Sequence, residues 1–438
     1  MKIDNSNLLK AKANRIIPHQ TGTFSSAASS FVEGVYPVYA ESGNGCRFWD
    51  VDGNEFVDYL MGLGPITLGY NYPRINEAIK SQLDKGILFS LPHASEVELS
   101  ELLCDIIPNA DMVKLEKTGS NAVTGAVRVA RAITKRDKIA YCGSGGVWHD
   151  WQAAMVSRDD GVPVFNRDLI KVFDYNDDEG LEQIFEENKD QISCIVLEPT
   201  IYEKPKPGFL KKIRKIADSN NCLLILDEIV TGFRFDLKGG QKFFDIDGDI
   251  VCFGKGMGNG LPISAITGKE EFMKIFDKLW VSSTNNRETL SIVGTIETIK
   301  EMNDKKTIEQ CWKVGEVLFN GWNKICKKYD VNAMMNGYPI RMTMKCYDSL
   351  GKESIFLKSF ILQELVKKGQ FFSPGATFLS FSHTFDIIEN TLKEFEQICQ
   401  NIQEKISNDN YEQYLEGSTP KPIWSYKIKP TKKINPDS

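Results

Sequence analysis

Lys255 closes the apolar run "DIVCFGK" and opens the turn "GKGMGNGLP", where Gly254, Gly256, Gly258 and Gly260 surround it. Glycines let a backbone approach a ligand closely, and a partly desolvated lysine loses its proton more easily, so the amine becomes a nucleophile. Asp227 stands at the carboxyl end of another apolar run, "CLLILDE". In an open parallel sheet that end faces ligands, and a carboxylate there calls for a cationic partner. Glu198, closing "CIVLEP", has the same placement. Gly119 and Ser120 open the helical segment "GSNAVTGAVRVARA", whose first N–H groups have no partner within the helix and carry the positive end of its dipole.

Each signal has an ordinary alternative. A serine N-cap explains the helix start, a structural pair with Arg234 or a helix cap explains Asp227, and surface lysines are common in glycine loops. Taken together they match one group. Pyridoxal phosphate needs an anion cradle, an acid that keeps its pyridine nitrogen protonated, and a lysine for its aldehyde.

The elements that must hold these residues follow from the hydrophobic pattern. Between about residues 110 and 300, short apolar runs alternate with amphipathic stretches such as "GFLKKIRKIADSNN", which predicts an α/β block with a mostly parallel sheet covered by helices on both faces. Ahead of it, "GCRFWDVDGNEFVDYL" alternates around an Asp-Gly turn and predicts a hairpin. Behind it, "TIEQCWKVGEVLFNGWNKICKKY" and "DIIENTLKEFEQICQNIQEKI" flank a strand-rich section, as in a smaller α+β domain. The expected organisation is an N-terminal segment and hairpin over 1–65 packing with the small domain, a large domain over 66–305, a small domain over 306–417 and a tail over 418–438. Proline and lysine in the tail predict loose order, with Trp424 and Tyr426 able to dock it on a partner surface.

Composition narrows the class. The 438 residues are 42% hydrophobic and 26% charged, near globular averages, and a net charge of −6 gives no reason to expect nucleic acid. The first residues lack the apolar stretch of a secretory signal and no run reaches membrane-spanning length, so a cytoplasmic protein is expected. The ten cysteines are scattered, several of them inside apolar runs, and the four histidines are dispersed, so reduced core thiols and no metal are expected.

The segments "LDEIVTGFR", "DIVCFGKGMGNGLPISAITGK" and "TGSNAVTGAVRVARAITKRDK" resemble the class III aminotransferases of fold type I, particularly the group similar to glutamate-1-semialdehyde 2,1-aminomutase. The likeness extends to "WDVDGNEFVDYLMGLGPITLGYNYPRI", "SSTNNRETLSIVGTIETI" and "SFSHTFDIIENTL", and so covers most of the chain. It implies that Lys255 is the Schiff-base lysine and proton carrier, and that Asp227 pairs with the pyridine nitrogen. Gly119, Ser120 and Asn121 would hold the phosphate, Ile229 would pack on one ring face, and Glu198 would lie near the ring hydroxyl or the substrate. Thr284 would reach the phosphate from the second subunit of a homodimer. The activity implied is transfer of an amino group from a small-molecule donor to a carbonyl acceptor. The alternatives are an aminomutase, which returns the amino group to a neighbouring carbon, and a cofactor-binding protein without turnover.

Two departures from the family's pattern bear on specificity. Where the family has aromatic-histidine-glycine, this chain reads "VWHDW", so Trp148 is expected to stack on the cofactor ring with His149 beside it, packing alone being the alternative. The family's "SPVRAF"-like segment, whose arginine grips a substrate carboxylate, corresponds to "HQTGTFSSAASSFVEGVYP", which has no arginine. The C-terminal "FFSPGATFLSFSHT" also lacks the arginine-plus-proline motif of many ω-amino-acid members. A carboxylate buried without a cation is costly, so an acceptor without one, polyhydroxylated or sugar-like, is expected.

Overall fold

The computed structural model describes residues 1–143, 146–405, 409–423, 425 and 427. Trp424 and Tyr426, expected as docking aromatics, lie outside the described residues. The described residues form two compact units, one of those between Pro73 and Lys305 with Ser425 and Lys427, the other of Met1 to Tyr72 with those between Lys306 and Ile423.

The first unit is built on a seven-stranded sheet of β1 (Met112–Glu116), β2 (Lys138–Cys142), β3 (Ile170–Val172), β4 (Ile192–Leu197), β5 (Leu223–Glu228), β6 (Ile250–Phe253) and β7 (Ser264–Gly268), in the order β1-β7-β6-β5-β4-β2-β3. From β6 to β3 all neighbours are parallel, while β7 runs antiparallel to both β6 and β1. The continuous apolar runs are explained by burial: every residue of β4 and β6 is buried, as parallel strands covered on both faces require.

Helix α1 (Gly119–Thr134) lies on this sheet through Ala122, Val123, Ala126, Val127 and Ala130, which share a core with Ile139, Val196, Ile225 and Cys252. Small alanines bring its axis close to the strands, and each fully buried valine adds about 1.5–3 kcal/mol. Thr118 caps α1, its Oγ1 accepting from the Asn121 N–H at 3.2 Å. In the same unit Ser425 and Lys427 lie against residues 155–159. The Lys427 N–H donates to the Met155 carbonyl at 2.8 Å, and its Nζ meets the buried Asp159 carboxylate at 2.8 Å.

In the second unit, Ala40–Asn44, Arg47–Asp50 and Glu55–Asp58 form an antiparallel meander, closed by Gln370–Phe371 parallel to the last strand. The predicted Asp-Gly turn is there, with Gly53 at φ +82°. A three-stranded sheet of Ala333–Tyr338, Arg341–Cys346 and Thr377–Phe378 lies between two long helices in the chain, Thr307–Lys328 and Phe385–Lys405. Aromatic pairs fill this unit's interior, among them Trp322 and Phe395 stacked at 3.4 Å and Tyr59 and Phe372 at 4.1 Å. All ten cysteines are free thiols, and all but Cys104 are buried. Among the described residues no helix is long and apolar enough to cross a membrane.

Candidate active site

Asp227 belongs to β5, Glu198 follows β4, and Lys255 follows β6 in a short 3-10 turn, Lys255–Gly258, so the carboxyl ends of three adjacent parallel strands carry the three groups. Lys255 has φ +37°, in the left-handed region. For a residue with a Cβ that costs about 1 kcal/mol and persists only where the surroundings impose it, which is common at functional sites.

Ile229 ties the separate segments together. A Cβ built on Gly119 would stand 2.9 Å from Ile229 Cγ2, and one on Gly254 would stand 3.2 Å from Ile229 Cδ1. The start of α1, the loop after Asp227 and the residue before Lys255 therefore meet around one side chain, and the two glycines leave room for it. The Ile229 N–H also donates to Asp227 Oδ1 at 3.2 Å, which orients the half-buried carboxylate.

The start of α1 suits an anion. Asn121 N–H is taken by the Thr118 cap, but the N–H groups of Gly119 and Ser120 have no partner among the described residues and open a helix of sixteen residues. Ser264 Oγ, at the start of β7, holds the Thr118 carbonyl at 2.8 Å, and Ser120 Oγ reaches the Gly146 carbonyl at 3.3 Å. A phosphate at these N–H groups, a cationic ring nitrogen opposite Asp227 and an aldehyde for Lys255 match the donor set.

Trp148 is 71% exposed and meets the His149 ring edge-on, with centroids 4.5 Å apart and 68° between planes. His149 is anchored to α1, its Nδ1 lying 2.6 Å from Thr124 Oγ1, and burial holds its pKa below the usual histidine value. Thr284 opens a 3-10 turn, Thr284–Arg287. It is exposed and lines a cavity of about 660 Å³ with Trp280, Arg287, Lys114 and Glu96. The same loop is laced to the end of β1 by an ion pair between Lys117 and Glu288 at 2.9 Å.

Three participants escaped the reading of the sequence. Glu228 is fully buried beside Asp227 and accepts from the Gln241 N–H at 2.6 Å, from the Gly240 N–H and from Thr231 Oγ1 at 3.1 Å. It pins the loop that follows Asp227, and burial pushes its pKa up to about 7. Its only sequence signal was adjacency to Asp227 within "LDE". Thr124 Oγ1 meets both His149 Nδ1 and the Trp151 indole N–H, and nothing local in the sequence marks a threonine in the second turn of a helix as their meeting point.

In the other unit the serine-rich segment folds as two short 3-10 turns, Phe24–Ser26 and Ala28–Ser30. Ser26 and the buried Ala28 line a cavity of about 320 Å³ with Tyr39, Glu41, Asp58 and Tyr70. Its lining contains no lysine, arginine or histidine among the described residues. The Asp58 carboxylate accepts from Leu60 and Met61 N–H groups at 2.7 and 3.0 Å and from the Tyr70 hydroxyl at 2.6 Å. Arg47, in the neighbouring hairpin, is engaged by Glu55 at 2.7 Å.

Residues 30–402 match the family model for aminotransferase class III. Among curated relatives, the glutamate-1-semialdehyde 2,1-aminomutase of Methanosphaera stadtmanae is 34% identical over 423 residues, covering 90% of this chain and 98% of its own. The 3-aminobutyryl-CoA aminotransferase of Cloacimonas acidaminovorans is 39% identical over 318 residues, 71% of this chain and 76% of its own. Among solved structures, a transaminase with PLP bound superposes with a TM-score of 0.85 at 24% identity, over 92% of this chain and 99% of that one, which speaks for the fold alone. The chain therefore belongs to the class III aminotransferases, pyridoxal-phosphate-dependent enzymes of fold type I.

Proposed function

We propose that this enzyme moves an amino group from a common small-molecule donor to a carbonyl acceptor that carries no free carboxylate, such as a hydroxylated or sugar-like compound. One observation supports the choice of acceptor: within its own unit, the cavity beside the serine-rich segment is lined by Glu41 and Asp58 and, among the described residues, by no cation. An anionic substrate group there would meet no cation to pair with, whereas hydroxyl groups would find polar partners.

The roles proposed for the site are those that family membership implies, and the three strand ends that carry Lys255, Asp227 and Glu198 support them. The Lys255 amine holds the cofactor and carries the proton at the substrate carbon. Asp227 keeps the ring nitrogen protonated, and the Gly119 and Ser120 N–H groups with Asn121 hold the phosphate. Ile229 packs on one ring face, the exposed Trp148 stacks on the ring with His149 beside it, and Glu198 lies near the ring hydroxyl or the substrate. Bound there, pyridoxal phosphate supplies the electron sink for the bond broken at the substrate carbon. Thr284 would serve the phosphate of a partner subunit in a homodimer. Its exposure supports this, as does the exposure of Leu91, Val97, Met112 and Trp280 on nearby segments of the same unit.

A second reading, an aminomutase, is favoured by the name of the Methanosphaera relative. The name of the Cloacimonas relative offers an amino-bearing thioester, 3-aminobutyryl-CoA, whose keto counterpart is another carbonyl compound without a free carboxylate. Purified enzyme loaded with cofactor should release a keto acid from an amino donor when offered a hydroxylated aldehyde or ketone, and a 3-oxoacyl thioester in the same panel separates the two acceptor classes. Glutamate-1-semialdehyde should be converted to 5-aminolevulinate poorly or not at all. Efficient 5-aminolevulinate formation would overturn the transfer reading and promote the aminomutase.

A further inference from the structure

The Trp151 indole nitrogen lies 2.9 Å from Thr124 Oγ1, and Thr124 Oγ1 lies 2.6 Å from His149 Nδ1. An indole N–H can only donate, so Thr124 Oγ1 accepts from Trp151. The one hydroxyl proton of Thr124 then has a single acceptor among the described residues, His149 Nδ1. A neutral imidazole that accepts at Nδ1 carries its proton on Nε2, and burial of the ring favours the neutral form over the attraction of the nearby Asp150. With the Thr124 proton given to His149 Nδ1, the acceptor within reach, the bonds run one way, from Trp151 through Thr124 to His149.

The relay has a beneficiary. Trp148 is largely exposed, and His149 meets its ring edge-on, so the fixed imidazole limits the planes that the indole adopts. Thr124 stands one turn along α1 from Ser120, which references the arrangement to the anion-binding end of that helix. We propose that Thr124 and Trp151 are positioning residues that lock His149 in its Nε2–H tautomer and, through its ring, set the plane of Trp148 for stacking on the cofactor. This rests on the proposed placement of Trp148 against the cofactor ring.

The test separates the relay from that placement. With only four histidines in the chain, ring-nitrogen NMR of the ¹⁵N-histidine-labelled, cofactor-free protein can report the tautomer of His149 directly. The wild type should show Nε2 protonated and Nδ1 bare. Thr124→Val, nearly isosteric but without a hydroxyl, should admit the other tautomer, and Thr124→Ser should restore the lock. Titration of pyridoxal phosphate by absorbance should show affinity weakened about tenfold in Thr124→Val, for the loss of two partly buried hydrogen bonds, and near wild type in Thr124→Ser. A wild-type His149 protonated on Nδ1 would overturn the relay. A Thr124→Val protein with altered tautomer and unchanged cofactor affinity would overturn the positioning role. Trp148→Ala with wild-type cofactor affinity would overturn the stacking placement, and the link to the cofactor with it, while the tautomer lock would still be judged by the spectra.

Discussion

Gly119→Ala is the most direct probe of how the site is assembled. The added methyl would stand 2.9, 3.0 and 3.0 Å from three carbons of Ile229, where carbon atoms in contact prefer about 3.5–4.0 Å. Overpacking of this kind costs about 1–3 kcal/mol. Opposing it is the better helix propensity of alanine, about 0.5–1 kcal/mol in a helix interior and less at a first helical position. The steric cost wins, and because Ile229 also rests on Gly254 it cannot retreat without disturbing the residue before Lys255. If the cost falls on cofactor binding, affinity drops by about 5- to 150-fold. Titration with pyridoxal phosphate beside a melting curve assigns the loss to binding or to folding. Ile229→Ala removes the obstacle, so the double variant should recover at least about 1 kcal/mol of the Gly119→Ala penalty as a coupling energy. Additive effects in that cycle, or a Gly119→Ala protein that binds cofactor like wild type, would refute the three-segment junction.

Lys255→Ala should fold yet lose turnover, since one amine is both anchor and proton carrier, while Asp227→Ala should slow proton exchange at the substrate carbon by orders of magnitude; normal turnover or unchanged exchange would sink the respective role. A mixed dimer with Lys255→Ala in one chain and Thr284→Ala in the other should retain about half of wild-type activity if Thr284 serves the partner's site, whereas two singly damaged sites would place it in its own chain. Glu228 has its pKa raised to about 7 by burial, so its contribution to folding is fullest below the ordinary glutamate value and is lost as pH rises through 7. The melting-temperature gap between wild type and Glu228→Gln should therefore narrow from pH 4.5 to 7, and a constant gap would contradict the buried titration. Lys427→Ala should raise amide exchange at residues 155–159, where its side chain meets Asp159, and equal protection in both proteins would show that contact to be idle.

Much of the site was legible because its signals are local. An apolar run ending in Asp227, another ending in Glu198, and a third ending in Lys255 among glycines each announce a buried strand whose last residue leaves the sheet, and parallel strands put those ends side by side. Gly119 and Ser120 were visible as a helix start for the same reason. What the chain alone did not disclose depends on residues distant in sequence. That Ile229 fills the space left by both Gly119 and Gly254 follows only once β5, β6 and α1 are docked in register. The left-handed backbone of Lys255 is imposed by its surroundings, since local sterics disfavour that conformation for any residue but glycine. The antiparallel course of β7 was likewise silent, because a buried strand shows the same apolar run in either direction. Trp148 and His149 were found as neighbours in "VWHDW", but which of them is exposed and which is anchored was decided by where α1 presents Thr124, a contact set by packing and not by propensity.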